Sequence, residues 1–304
     1  MKFRYASRAV RNLISGTVLT LLVSACGNSG QDTGKEQISV SILPQQYFLE
    51  QIAGDLFDIN VILPPGASPA TYEPTPAQLA DLSATSLYFR MGYTGFELAW
   101  MDKIASANDE MKVINLAEGI DLAVEEPKHN KDHGDNHDHH HHGGVDPHTW
   151  LSPANVKIMS KTIHQALTKK YPSHREVFDR NLKSWLSTLD SLDRNISAAL
   201  KDLGSRSFFI YHPALTYYSR DYRLDQHPLE LDGKEPSAAH MKALIDTGIK
   251  HRIGVIFLQM QFDQRNAETL ARETGAEIVQ INPLDAEWLD QMYYITNQIK
   301  KHLQ

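Results

Sequence analysis

Between about His174 and Leu203, apolar residues recur at three- and four-residue steps: Leu182, Trp185, Leu189, Leu192, Ile196, Ala199 and Leu203 form one stripe on an otherwise polar rod. That is the signature of a single long amphipathic helix. At 1.5 Å per residue, roughly 30 residues would reach about 45 Å, enough to cross from one domain to another. On either side the pattern changes to short β-rich runs alternating with helical ones. Before the stripe, strands are expected at Ile38–Ile42, Ile59–Leu63, Leu87–Met91 and Lys112–Leu116, with helices at Gln46–Ala53, Pro76–Ser83 and Phe96–Ala105. Gly54 can stop the first helix, and Pro64-Pro65-Gly66 is a firm turn. Ser152 is placed to cap a further helix opening at Pro153. After the stripe, strands are expected at Ser207–Tyr211, Val255–Leu258 and Glu277–Ile281, with helices at Ala238–Lys250, Gln264–Thr274 and Glu287–Leu303. This βα rhythm predicts mainly parallel sheets. The fold expected is α/β: one lobe over residues 37–172, a rigid linking helix over 173–203, and a second lobe over 204–304. The simpler alternative is a long surface helix on one domain. Ligands of such lobes bind at the carboxyl ends of the strands, which places a cleft between the lobes.

The N-terminus reads as an export signal. Lys2, Arg4, Arg8 and Arg11 precede a short apolar core, Leu13–Val23, too short to span a bilayer comfortably. Val23-Ser24-Ala25-Cys26 resembles a bacterial lipobox, in which the signal is cleaved before a cysteine that becomes lipidated. Cys26 is the chain's single cysteine, so no disulfide forms within a monomer. Residues 1–25 are therefore expected to be a signal peptide and 26–36 a lipidated tether, which implies an exported protein anchored in the periplasm or on the outer surface. Removing the four cations of the signal takes the formal charge from −7 to −11. Such acidity argues against nucleic acid and suits a protein that concentrates cations.

Seven of the 15 histidines, His129, His133, His137, His139, His140, His141 and His142, crowd into one internal tract with Asp132, Asp135 and Asp138. Imidazoles on one polar segment collect Zn²⁺, Ni²⁺ or Cu²⁺ without a preformed geometry. The loop, residues 129–144, then gives way to Asp146-Pro147-His148-Thr149-Trp150. His148 precedes the helix at Ser152, and His212 directly follows the strand Ser207–Tyr211, with Pro213 restricting its backbone. One histidine comes from each expected lobe, so a metal shared by both would clamp the cleft. Either alone is more readily a structural histidine. The tract, the flanking prolines and the strand-end placing together favour ligands.

These residues carry a resemblance. Asp146-Pro147-His148-Thr149-Trp150-Leu151-Ser152-Pro153, Gly66-Ala67-Ser68-Pro69 with Tyr72-Glu73-Pro74, and Tyr211-His212-Pro213 with Tyr217-Tyr218 resemble the zinc- and manganese-type solute-binding lipoproteins of bacterial ABC importers. Gly233-Lys234-Glu235-Pro236-Ser237 and Asn282-Pro283-Leu284 match too, in the same order, over essentially the whole mature chain. A His/Asp-rich loop before the second ligand is typical of the zinc-handling branch. The resemblance implies two lobes about a rigid helix, one metal between them, and delivery to a membrane permease by a monomer.

It also implies four ligands, and two positions depart. Ala70 stands where the family has its first histidine, and Asn282 where it has an aspartate; His148 and His212 match the second and third. Two neutral imidazoles and an amide give Zn²⁺ no anionic donor, whereas zinc sites prefer four N, S or carboxylate donors. Glu73, Glu97, His227, Glu230 and Glu235 are candidates to complete the shell. The cargo expected is Zn²⁺, with Mn²⁺ second. The alternative is a surface lipoprotein for zinc storage, chelate binding or partner binding with a modified site. A zinc hydrolase is more remote, since the chain has no His-Glu-x-x-His pattern, nucleophile elbow or phosphate loop. No enzyme activity is expected.

Overall fold

A computed structural model describes residues 34–124, 144–231 and 233–304. The first lobe runs β1 (Gln37–Val40), α1 (Leu43–Ala53), β2 (Asp58–Val61), α2 (Pro76–Asp81), β3 (Thr85–Arg90), α3 (Gly95–Ser106) and β4 (Lys112–Asn115). Its strands are ordered β2-β1-β3-β4, every neighbouring pair parallel. Two helices follow, α4 (Pro153–Lys170) and α5 (Arg175–Ala199). The second lobe runs β5 (Ser207–Ile210), α6 (Thr216–Tyr222), β6 (Asp225–Pro228), α7 (Ala238–His251), β7 (Val255–Gln259), α8 (Arg265–Thr274), β8 (Glu277–Ile281) and α9 (Trp288–Leu303). Its order, β6-β5-β7-β8, is again all parallel and repeats that of the first lobe. In each sheet the winding reverses beside the first strand, between β1 and β3 and between β5 and β7. That crevice is where an α/β sheet receives ligands.

Local chemistry explains most boundaries. The Ser152 hydroxyl accepts from Asn155 N at 3.1 Å and caps α4 just before Pro153. Thr75 and Gln78 form a capping box on α2. Gly54, at φ +63°, ends α1 in a conformation that a side chain would strain. β5 and β7 are buried at every residue, as parallel strands covered on both faces must be.

α5 is shorter than its stripe. It has 25 residues, about 37 Å at the usual rise, and closes at Leu200. Leu203 still packs against the core, but from the turn that leads into β5, so it extends the stripe without extending the helix. α6 was not expected at all; Arg223, at φ 56°, terminates it, and β6 follows at Asp225.

The side-chain period of two divides each sheet between two cores. Along β5 and the residue after it, Phe208 and Ile210 face one core while Phe209 and Tyr211 face another. The outer cores lie beneath α7 and α8 in the second lobe, around Phe209, Leu244 and Leu270, and beneath α2 and α3 in the first, around Tyr88, Phe96 and Ile104. The inner core is common to both lobes: Ile38, Val40 and Phe48 belong to the same cluster as Trp185, Leu189, Phe208, Trp288 and Met292. Phe48 meets the Trp288 ring edge-on at 5.0 Å, and Trp185 lies 6.1 Å from Trp288. The lobes thus share the linking helix α5, α9 and an aromatic core, and residues 35–304 form one compact unit.

Candidate metal centre

His148 sits in the turn before α4, with 6% of its surface exposed. Pro147 fixes the backbone between Asp146 and His148, and the Asp146 side chain folds back over it. Asp146 Oδ1 accepts from His148 N at 2.8 Å and lies 2.9 Å from His148 Nδ1. Burial pushes the Asp146 carboxyl up, but the His148 charge and hydrogen bonds from His148 and Thr216 outweigh burial and leave it below its usual value. It is an ionised acceptor at neutral pH, so His148 Nδ1 carries the proton.

His212 is built the same way from the other side. It leaves β5 at the crevice beside β7, and Gln259, the last residue of β7, clamps its backbone. Gln259 Oε1 accepts from His212 N at 3.2 Å, and Gln259 Nε2 donates to His212 O at 2.7 Å. Glu230, 7% exposed, sets Oε1 2.6 Å from His212 Nδ1, and Phe262 stacks on the ring at 5.6 Å between centroids.

The two outer nitrogens face each other: His148 Nε2 and His212 Nε2 are 3.1 Å apart. In the tautomer that donates from Nδ1 to each carboxylate, each Nε2 presents a lone pair. At that distance the two nitrogens can share a cation, or one Nε2–H can donate to the other. Two nitrogens each about 2.0–2.1 Å from one zinc ion would subtend roughly 95–102° at this separation, somewhat below the tetrahedral angle. A carboxylate on the far nitrogen is also how metal-binding histidines are oriented and made more basic.

The turn carrying His148 is fastened to the second lobe. Tyr217 Oη, on α6, donates to Asp146 O at 2.8 Å and accepts from Ala123 N at 3.1 Å. Burial pushes this phenol up to about 12, so it remains a donor. The Ser152 hydroxyl donates to Asp221 Oδ2 of α6, and Arg220 Nη1 donates to Asp121 O at 2.8 Å. Trp150 Nε1 donates to Pro283 O at 2.7 Å, and Trp288 Nε1 donates back to Trp150 O at 2.9 Å.

A comparison with known proteins then places the chain. The model of the family described as "Zinc-uptake complex component A periplasmic" matches residues 38–302. The chain belongs to that family. It is 29% identical over 282 residues to the zinc-binding lipoprotein AdcA of Streptococcus pneumoniae, covering 90% of this chain and 55% of AdcA. It is 29% identical over 280 residues to the high-affinity zinc uptake system protein ZnuA of Bacillus subtilis, covering 87% of this chain and 85% of ZnuA. The chain thus spans about half the length of the streptococcal relatives it matches. Among solved structures, a ZnuA crystal structure superimposes with a TM-score of 0.81 at 37% identity, covering 89% of this chain and all of that one. The zinc-bound ZnuA-like domain of Streptococcus pneumoniae AdcA gives 0.71 at 26% identity, covering 89% of this chain and 99% of that domain.

The remaining candidate residues divide by position. Ala70 is exposed, and its carbonyl lies so close to Gly95 that a Cβ there would meet Ala70 O at 2.2 Å. Asn282 lines a narrow crevice with Pro64, Pro65 and Gly66 of the first lobe. Its side chain is committed to its own turn: Oδ1 accepts from Leu284 N at 3.2 Å, and Nδ2 donates to Asp285 Oδ2 at 3.1 Å. Glu97 is wholly buried and accepts from Met91 N at 2.7 Å, from Gly92 N at 2.6 Å and from the Ser41 hydroxyl. Burial raises its pKa despite those donors. These contacts make it a staple of the β3–α3 loop, not a free donor. His227 lies on β6 between the rings of Phe209 and His251. Glu73 and Glu235 are exposed. Glu230 does join the site, but behind His212. Among the described residues no group of three or more His, Cys, Asp and Glu side chains could hold a metal. The histidines of the 129–142 tract and Cys26 lie outside the described residues. Sequence reasoning passed over Asp146 and Gln259. Asp146 was legible, since an Asp two residues before a His with proline between them can bond back to that His; Gln259 carried no such signal.

Proposed function

We propose that the chain is the extracytoplasmic metal-capturing component of an ABC importer, that its cargo is Zn²⁺, and that His148 Nε2 and His212 Nε2 are its protein ligands. The observation that carries this is the 3.1 Å approach of two imidazole nitrogens whose far nitrogens both rest on buried carboxylates. Neutral imidazole suits Zn²⁺ better than Mn²⁺, which prefers oxygen donors and stands lowest in the divalent affinity series. The named relatives, zinc-binding and zinc-uptake proteins, support the same cargo. Capture needs no bond-making on a substrate, so the chain acts as a carrier rather than an enzyme. Lipidation at Cys26 would hold it beside a permease, and the histidines between 129 and 142 would raise the local zinc concentration.

The test is a calorimetric Zn²⁺ titration of the mature chain with its seven tract histidines replaced by serine, with and without His212→Ala. One equivalent of tight binding, lost on His212→Ala, is the expected result. Binding that disappears with the tract substitutions alone would turn the reading toward storage.

A further inference from the structure

We infer that Tyr217 is a positioning residue of the zinc site: its hydroxyl holds the Asp146–His148 turn against the segment that carries His212 and so sets the distance between the two ligand nitrogens. The inference rests on the zinc-capture reading above and adds to it a residue that acts through the main chain of another.

The first ground is the path along the chain. Ala214 N donates to His212 O at 2.7 Å and α6 opens at Thr216, so Tyr217 follows His212 by only five residues. Across the site, Asp146 precedes His148 by two residues and meets it twice, at the backbone N and at Nδ1. The Tyr217 hydroxyl donates to Asp146 O at 2.8 Å and closes a short ring from one histidine to the other. Thr216 hydrogen-bonds the Asp146 side chain, so the start of α6 grips this residue at both its carboxylate and its carbonyl. The other ties of the turn, from Ser152 to Asp221 and between Trp150, Pro283 and Trp288, join it beyond His148 and do not involve Asp146.

The second ground is how firmly the phenol itself is held. Tyr217 is wholly buried, and its hydroxyl serves in both roles, since it also accepts from Ala123 N at 3.1 Å. Asp146 N donates in turn to Ala123 O at 2.9 Å, so one hydroxyl and one backbone bond lock Ala123 to Asp146. The Arg220 guanidinium lies 5.0 Å from the ring centre and is itself anchored on Asp121 O. A ring held on its face, with both hydroxyl bonds satisfied in a buried setting, fixes the carbonyl that it grips. The neighbouring Tyr218 supplies a control. It is as deeply buried and lies on the same helix, but it spends its hydroxyl on Thr296 of α9 at 2.8 Å rather than on the His148 turn.

Tyr217→Phe and Tyr218→Phe, each in the tract-substituted mature chain, keep the ring and delete one buried hydroxyl. Both should lower the melting temperature of the metal-free chain. Calorimetric Zn²⁺ titration should separate them: Tyr217→Phe weakens zinc by about tenfold, the low end of what an outer-shell partner contributes, whereas Tyr218→Phe stays within about threefold of the parent. Co²⁺ then serves as a spectroscopic probe of the same site. Its visible d–d bands should shift in Tyr217→Phe and stay in place in Tyr218→Phe. Equal losses of zinc affinity in the two variants overturn the inference, as do Co²⁺ bands that Tyr217→Phe leaves unmoved; either result leaves the capture reading intact. Should Tyr217→Phe fail to fold by circular dichroism, 3-fluorotyrosine at position 217 keeps the hydroxyl and makes it a stronger donor. Bands unmoved by that replacement overturn the inference equally. Loss of zinc binding on His212→Ala identifies the capture site independently, and absence of zinc binding by the parent sinks both readings.

Discussion

The two histidine positions and the two positions where the family resemblance implied further ligands lie on comparable loops, yet they are built differently. Behind His148 stands Asp146, behind His212 stand Glu230 and Gln259, and these contacts hold each imidazole in direction. Ala70 has nothing to offer, and Asn282 spends both ends of its amide on its own turn. The difference teaches that a ligand is more than a donor atom at a strand end. It needs a partner that aims it and no neighbour that already occupies it.

The sharpest way to break this comparison is to remove one imidazole. His212→Ala should lower zinc affinity by at least about 100-fold, more than the 10–100-fold that follows loss of an outer-shell partner. Titration of the tract-substituted chain reads this directly, and an unchanged affinity would place the site elsewhere. Glu230→Gln and Asp146→Asn should come next, each weakening zinc by about 10–100-fold while the chain stays folded by circular dichroism. Restoring the missing donors should sharpen the contrast. Ala70→His should tighten zinc by about tenfold, or 1.4 kcal/mol, since the position is exposed and one added nitrogen is its only new interaction. Asn282→Asp should move affinity by no more than about threefold, a limit set as roughly a third of that tenfold step. The new carboxylate would face Asp285 Oδ2 and still receive Leu284 N. Equal gains from the two changes would show that the Asn282 turn is not what withholds the oxygen.

The smallest effect concerns pH and stability in the metal-free chain. Asp146 has a lowered folded-state pKa, so its stabilising contribution is complete above the ordinary carboxylate value and fades as pH falls through the folded one. Glu97 is shifted up, so its ionisation opposes folding at neutral pH, and this cost is relieved as pH falls through its raised pKa. Thermal melts at neutral and acidic pH should therefore show the gap between the parent and Asp146→Asn narrowing with acid. A gap that widens would mean that the His148 pairing does not hold this carboxylate down.

How much of this was legible follows the same division. Strands with continuous apolar runs, and helices with a cap and a stripe, show in the sequence because burial imposes their period. α6 did not, because seven residues rich in tyrosine give no helical signal, and the end of α5 did not, because Leu203 serves the same core from a turn. The histidine pair was legible from motif order and strand-end placing. Which acid stands behind which imidazole was not, since Glu230 approaches His212 only through the parallel pairing of β5 and β6. Glu97 has a candidate ligand's chemistry, and only the fold reveals that its oxygens are already occupied.

The fastening of the His148 turn to α6 and to the start of α9 bears on how an ion could leave. His212 belongs to the second lobe and the His148 turn is hydrogen-bonded to it, so a movement that withdrew the first lobe's own sheet while those bonds held would leave the pair of imidazoles whole. Departure then becomes a substitution reaction at the metal. Its rate would be governed by the supply of an incoming donor or a proton at Nε2, and not by how far the two halves swing.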